Sequence, residues 1–264
     1  MRDRTLYFGS NLKMYKTPGE TAEYVAGVAS LTADLEGAPV RRFLIPSFTA
    51  LPAAGEKLHG GLMLGAQNMH WEDEGQFTGE VSPRMLEELG FVSIIEIGHS
   101  ERRHVFHETS YECNKKVLAA LSHGFTALLC IGETAEEKQY GVSDEVLAIQ
   151  TKIGLSGVPS KAAADGRVWL AYEPVWAIGA EGKPADPEYV ARRHAQIRAI
   201  LCQLFPKGGE DIPILFGGSV NSGNADSYIR LDNVDGLFVG RAAWTAPTFN
   251  SLLRQILPEF QSKF

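Results

Sequence analysis

Four segments of this chain hold residue types that handle protons and anions. In SNLKM, Asn11 and Lys13 stand two apart, on one face if the extended backbone continues. A lysine there neutralises an anion or polarises a carbonyl. In EIGHSERR, Gly98 permits a sharp turn, and His99 and Ser100 open the next helical stretch. A histidine at a helix N-terminus feels the positive end of the backbone dipole, which favours the neutral imidazole. Neutral imidazole donates a hydrogen bond to a developing oxyanion without competing as an acid. In AYEPVWAIG an apolar run ends in Glu173, followed by Pro174. Proline fixes its own φ and drives the residue before it toward extended geometry, so Glu173 is a carboxylate held at a defined angle and a candidate general base. FGGSV and VGRAAW complete the set, with Gly217, Gly218 and Ser219 in one and Gly240 ahead of a short helical segment in the other.

Each feature alone has an ordinary reading: a solvated lysine, a structural histidine, a rim glutamate, a glycine turn. Their weight depends on the elements that position them. Eight short apolar runs recur along the chain: TLYFGS (5–10), RRFLIPS (41–47), LMLGAQ (62–67), VSIIEIG (92–98), FTALLCIG (125–132), VWLAYEP (168–174), IPILFGG (212–218) and DGLFVG (235–240). They are nearly continuous rather than alternating, as in a parallel sheet covered on both faces. Between most of them lie stretches of helical spacing, such as TAEYVAGVASLTADL and DPEYVARRHAQIRAILCQLF. Repetition of this unit with no linker favours one closed (β/α)8 barrel over residues 1–264, with an open doubly wound sheet as the alternative. In both architectures functional groups gather on the loops after the strands. All the candidate residues sit at such strand ends, and the backbone N–H groups after strands 7 and 8 form the usual barrel phosphate site.

Bulk properties narrow the chemistry. The chain has 264 residues, 44% of them hydrophobic and 22% charged, so a sizeable core is expected. A formal net charge of −7 argues against a nucleic-acid partner, and any anionic substrate needs a local cationic site. Cys113, Cys130 and Cys202 are odd in number and lack metal-type spacing, which suits reduced thiols in a cytoplasmic protein. MRDRTLYFGSNLKMY has no apolar leader core, and no apolar stretch approaches membrane-spanning length. A base, a neutral electrophile, a cation and a phosphate cradle suit proton abstraction beside a carbonyl in a small phosphorylated sugar. Neither a metal nor another cofactor is expected.

The motifs NLKM, AQNMHWEDEGQFTGEVSP, IGHSERR, CIGE, AYEPVWAIG, GGSV and DGLFVG, in this order, resemble the triosephosphate isomerase family over essentially the whole chain. The glutamate base and neutral histidine of that family are a standard worked case of tuned acid–base chemistry. The resemblance implies a single TIM barrel in which Glu173 shuttles a proton between adjacent carbons. His99 and Lys13, helped by Asn11, would stabilise the enediolate. A lid around Ile178 and Gly179 would close over the phosphate, with Gly179, Ser219, Gly240 and Arg241 as its contacts. The loop at residues 68–82 resembles the one that inserts into a second subunit, so a homodimer is expected, although HWEDE within it departs from the usual composition.

Four positions differ from the family pattern. Arg241 stands where a second glycine is usual, at a cost of about 1 kcal/mol if positive φ is required there. The lid AIGAEGKPAD is one residue longer, Phe216 replaces a tyrosine whose hydroxyl would latch the closed lid, and Leu12 replaces a tryptophan. The expected activity is interconversion of dihydroxyacetone phosphate and glyceraldehyde 3-phosphate. The longer lid and GRAAW resemble the branch acting on a tetrulose phosphate, so a three- or four-carbon sugar phosphate is the expected substrate. A catalytically silent barrel serving as a binding protein is the non-enzyme alternative.

Overall fold

In the computed structural model, which describes residues 5–179 and 182–264, each of the eight apolar runs contributes a strand. They are β1 (Leu6–Asn11), β2 (Val40–Ile45), β3 (Met63–Ala66), β4 (Val92–Ile97), β5 (Thr126–Ile131), β6 (Val168–Tyr172), β7 (Ile214–Phe216) and β8 (Gly236–Phe238). Each pairs in parallel with its neighbour, and β8 pairs with β1, closing a barrel in sequence order. The open-sheet alternative is therefore excluded. Helices fill the connections, as the expected strand–helix repeat requires. Residues 1–4, within the segment read as lacking a leader, and residues 180 and 181, within the lid, lie outside the described residues. No described helix is long and apolar enough to cross a membrane.

The continuous apolar runs follow from burial on both faces. Side chains alternate along a strand, so one set fills the barrel and the other meets the helices. Tyr7, Phe43, Ile94, Leu128, Trp169 and Leu215 belong to the inner cluster. Leu6, Phe8, Leu44, Ile95, Leu129 and Leu170 belong to the larger outer one.

Helix starts are written locally. Pro187 opens the helix Pro187–Leu204, and the Asp186 carboxylate accepts the Glu188 N–H at 2.7 Å and the Tyr189 N–H at 3.4 Å. A cap of this kind contributes about 1 kcal/mol. It also stops the lid sharply at residue 186. Thr109 and Glu112 cap Ser110–Ser122 reciprocally, as Thr134 and Glu137 cap Ala135–Gln139.

Candidate active site

At the C-terminal end of the barrel lies a cavity of about 920 Å³. Asn11, Lys13, His99 and Glu173 line it, together with Gly179, Ser219, Gly240 and Arg241. Residues up to 230 positions apart thus meet because eight parallel strands all end there.

Glu173 follows β6 directly, and its N–H donates to the Ile131 carbonyl at 2.8 Å, which continues the sheet by one residue. Its side chain is 5% exposed. Burial raises its carboxyl above the ordinary value, and His99 and Lys13 oppose that rise. Oε2 has no hydrogen-bond partner among the described residues and lies 3.7 Å from His99 Nε2. A carboxylate with one oxygen kept from water and from donors is a stronger base than a solvated one.

His99 caps the short helix Ser100–His104, after Gly98 turns the chain at φ 69°. The Glu101 N–H donates to His99 Nδ1 at 3.1 Å. An amide N–H only donates, so Nδ1 carries a lone pair and the ring proton sits on Nε2, the nitrogen nearer Glu173. The backbone thereby selects the tautomer that presents a neutral donor to the cavity.

Lys13 is held from two directions. Its backbone has φ 50°, an uncommon conformation for a residue with a side chain, and its N–H donates to Asn11 Oδ1 at 2.6 Å. Gln67 Nε2 donates to the same Oδ1 at 3.1 Å and to the Lys13 carbonyl at 2.8 Å. The Lys13 ammonium meets Glu101 Oε1 at 2.6 Å. The acid of SERR therefore pairs with the cavity lysine. The following Arg102 pairs with Glu108 at 3.1 Å, as a rim residue would.

At the other end of the cavity, Gly240 precedes a short 3₁₀ turn, Arg241–Ala243, whose first residues line the space. The first N–H groups of such a turn lack internal partners and suit an anion. Arg241 is exposed and does not have positive φ, so the backbone cost anticipated for a non-glycine there does not arise. Ser219 Oγ donates to the Ala177 carbonyl at 2.7 Å and also approaches the Gly182 carbonyl at 3.2 Å. Its hydroxyl thus joins the two sides of the lid across residues 180 and 181.

The family model for triosephosphate isomerase matches residues 6–256. The chain belongs to the triosephosphate isomerase family. It is 43% identical over 253 residues to the L-erythrulose-1-phosphate isomerase of Rhizobium etli, covering 95% of this chain and 92% of that protein. It is 40% identical over 258 residues to the protein of the same name from Brucella abortus, covering 97% and 98%. The crystal structure of triosephosphate isomerase from Bartonella henselae superposes with a TM-score of 0.84 at 32% identity, over 95% of this chain and 98% of that one. As a member of the family, the protein is a sugar-phosphate isomerase.

The departures from the triosephosphate isomerase pattern have local explanations. Phe216 points away from the cavity into the outer layer, its ring 4.5 Å from that of Tyr228. The Tyr228 hydroxyl donates to the Ala185 carbonyl at 2.7 Å. The lid thus has a phenolic anchor despite the loss of a hydroxyl at 216. Leu12 is fully buried, and Trp244 Nε1 donates to the Asn11 carbonyl at 2.9 Å with its ring 4.5 Å from Tyr15. The first loop thus keeps an indole neighbour, supplied from the far end of the chain.

Glu133, in the motif CIGE, has no role that its sequence neighbours announce. Glu133 is fully buried and accepts Tyr172 OH at 3.1 Å, Trp176 Nε1 at 3.1 Å and Tyr189 OH at 2.8 Å. One carboxylate thereby ties β6, the first lid hinge and the helix after the lid. Lys138 lies 3.5 Å over the Trp176 ring. A glutamate directly after a strand-end glycine was the available signal.

Proposed function

We propose that the protein isomerises a four-carbon ketose phosphate by moving its carbonyl to the neighbouring carbon, with Glu173 as the base. The observation that carries this reading is the convergence of the buried Glu173 carboxylate, the His99 Nε2–H and the Lys13 ammonium on one cavity. The substrate class follows the names of relatives at 40–43% identity, against a triose-named structure at 32%. This favours the tetrulose alternative over dihydroxyacetone phosphate.

With phosphate on C1 and the carbonyl at C2, Glu173 removes the C3 proton. The C–H pair becomes the C2=C3 bond, and the C2 oxygen takes the negative charge. His99 and Lys13 stabilise that oxygen, and Asn11 holds the lysine. Such preorganised donors contribute about 3–4 kcal/mol to an enediolate transition state. A proton passes from O3 to O2, the carbonyl re-forms at C3, and Glu173 returns its proton to C2. The phosphate does not move, and the product is a ketose whose carbonyl is one carbon further from it. A triose phosphate differs only in that the deprotonated carbon is terminal, which yields an aldehyde. Ser219, Gly179 and the 3₁₀ turn at Gly240 and Arg241 form the phosphate end, and lid closure excludes water from the intermediate.

The site is completed in a homodimer through the loop at residues 68–82. Phe77 on that loop and Met14, Met85, Val105 and Phe106 are large apolar side chains at least 44% exposed, which supports a second copy as their cover. The chemistry calls for neither metal nor other cofactor.

The deciding experiment compares kcat/KM for L-erythrulose 1-phosphate and dihydroxyacetone phosphate, with NMR of the products. A higher value for the tetrulose and a carbonyl shifted by one carbon are expected. Preference for the triose restores the triose reading, and turnover of neither removes the enzyme reading.

A further inference from the structure

A second carboxyl lies inside the barrel below the site, where the proposed chemistry leaves it unused. Glu96 is on β4 and 1% exposed. Strand alternation turns it inward with Ile94, between Asn11 on β1 and Cys130 on β5. Its Oε1 accepts the Asn11 amide at 3.0 Å and is 3.8 Å from the Cys130 thiol, whereas its Oε2 has no partner among the described residues. An apolar side chain would fill this place without the cost of burying a polar group.

We propose that Glu96 is a positioning residue for the reaction: its Oε1 fixes the orientation of the Asn11 amide, and that amide sets the Lys13 backbone and the aim of the lysine into the cavity.

The hydrogen bonds allow one orientation only. With Asn11 Nδ2 toward Glu96, Oδ1 is left to accept the Lys13 N–H at 2.6 Å and Gln67 Nε2 at 3.1 Å. A flipped amide would set NH₂ against both of these donors, and the Glu96 oxygen that now accepts would lose its donor. Glu96 therefore secures that orientation from below, opposite the Lys13 N–H and Gln67, and the left-handed turn at Lys13 depends on the result.

The surroundings of Glu96 favour the un-ionised acid. Burial and the neighbouring Glu173 carboxylate raise its carboxyl well above the ordinary value, against the Asn11 hydrogen bond and Lys13. The Lys13 charge is already paired with Glu101, which itself faces Glu96 with a like charge. The Cys130 thiol is buried and neutral, raised by burial, Glu173 and Glu96. A neutral acid offers one carbonyl-type oxygen, and Oε1, which accepts the Asn11 amide, is that oxygen.

The inference rests on the isomerase reading, and its test separates the two. Wild type, Glu96→Leu and Glu96→Gln are compared in kcat, KM and Tm, in affinity for inorganic phosphate, and by infrared spectroscopy. Glu96→Leu should lose about tenfold in kcat/KM, the worth of one buried hydrogen bond. Glu96→Gln, which keeps a neutral acceptor, should recover to within about threefold of wild type. Phosphate affinity should fall in Glu96→Leu and recover in Glu96→Gln, a readout that stands even if wild type turns over neither ketose phosphate. The carbonyl band of an un-ionised carboxylic acid should be present in wild type at neutral pH and absent in Glu96→Gln. Where Glu96→Leu does not fold, the shorter Glu96→Asp takes its place and must show the same loss. Wild-type kinetics and phosphate affinity in the Leu or Asp variant, equal impairment in Glu96→Gln, or absence of the band overturns the proposal.

Discussion

The Glu173 side chain rests against the backbone of Gly217, where an added Cβ would lie 2.8 Å from its Cγ and 2.9 Å from its Oε1. The glycine after β7 thus provides the space in which the proposed base lies. The Cβ space of Gly218 is taken by the Phe216 ring, with an atom 2.5 Å away.

Gly217→Ala should therefore displace the carboxylate. A misplacement of about 1 Å costs on the order of 10²-fold in rate. Steady-state kinetics should show this as a loss in kcat with KM changed little, and a crystal structure should show Glu173 rotated from His99.

The pH profile follows from the burial of Glu173. The base works ionised, and burial raises its carboxyl above the ordinary 4.5. Activity should be full above the raised value and fall as pH drops through it, so the acid limb of kcat/KM sits above that of a solvated glutamate. Glu173→Asp retracts the carboxylate by one methylene and should lower kcat by about 10²-fold or more while KM stays within about threefold. Equal losses in both parameters would count against the base assignment.

Tyr228→Phe removes the hydroxyl that holds the Ala185 carbonyl while keeping the ring against Phe216. A stability loss of about 1 kcal/mol is expected, read as a small drop in Tm. The distal end of the lid then closes less faithfully, and the enediolate has more opportunity to eliminate phosphate. Inorganic phosphate released per turnover should rise, and more so in Ser219→Ala, which frees both sides of the lid. Unchanged partitioning in both variants would detach these residues from lid closure.

All eight strands were legible because their apolar runs are buried on two faces, and the cap at Asp186 was written as Asp-Pro-Glu. Asn11, Lys13, His99, Glu173, Ser219 and Gly240 were legible as strand-end punctuation, Gly179 and Arg241 only through the family resemblance, and all eight line one cavity. Contacts between remote elements were not readable. Nothing near Phe216 in sequence announces that Tyr228 reaches Ala185, and nothing near Leu12 announces that Trp244 covers the first loop. Glu96 was hidden for a related reason. It sits within an apolar run, VSIIEIG, and only barrel closure turns it toward Asn11 and not toward solvent.

The lid's attachments fall at Trp176, Ala177, Gly182 and Ala185, received by Glu133, Ser219 and Tyr228. The extra length expected of AIGAEGKPAD falls in the span between Ala177 and Ala185, inside those attachments and away from Glu173. Reach over the substrate and proton chemistry are therefore set by separate stretches of chain. A change of lid length between those attachments leaves the anchors at Glu133, Ser219 and Tyr228, and the backbone of Glu173, where they are.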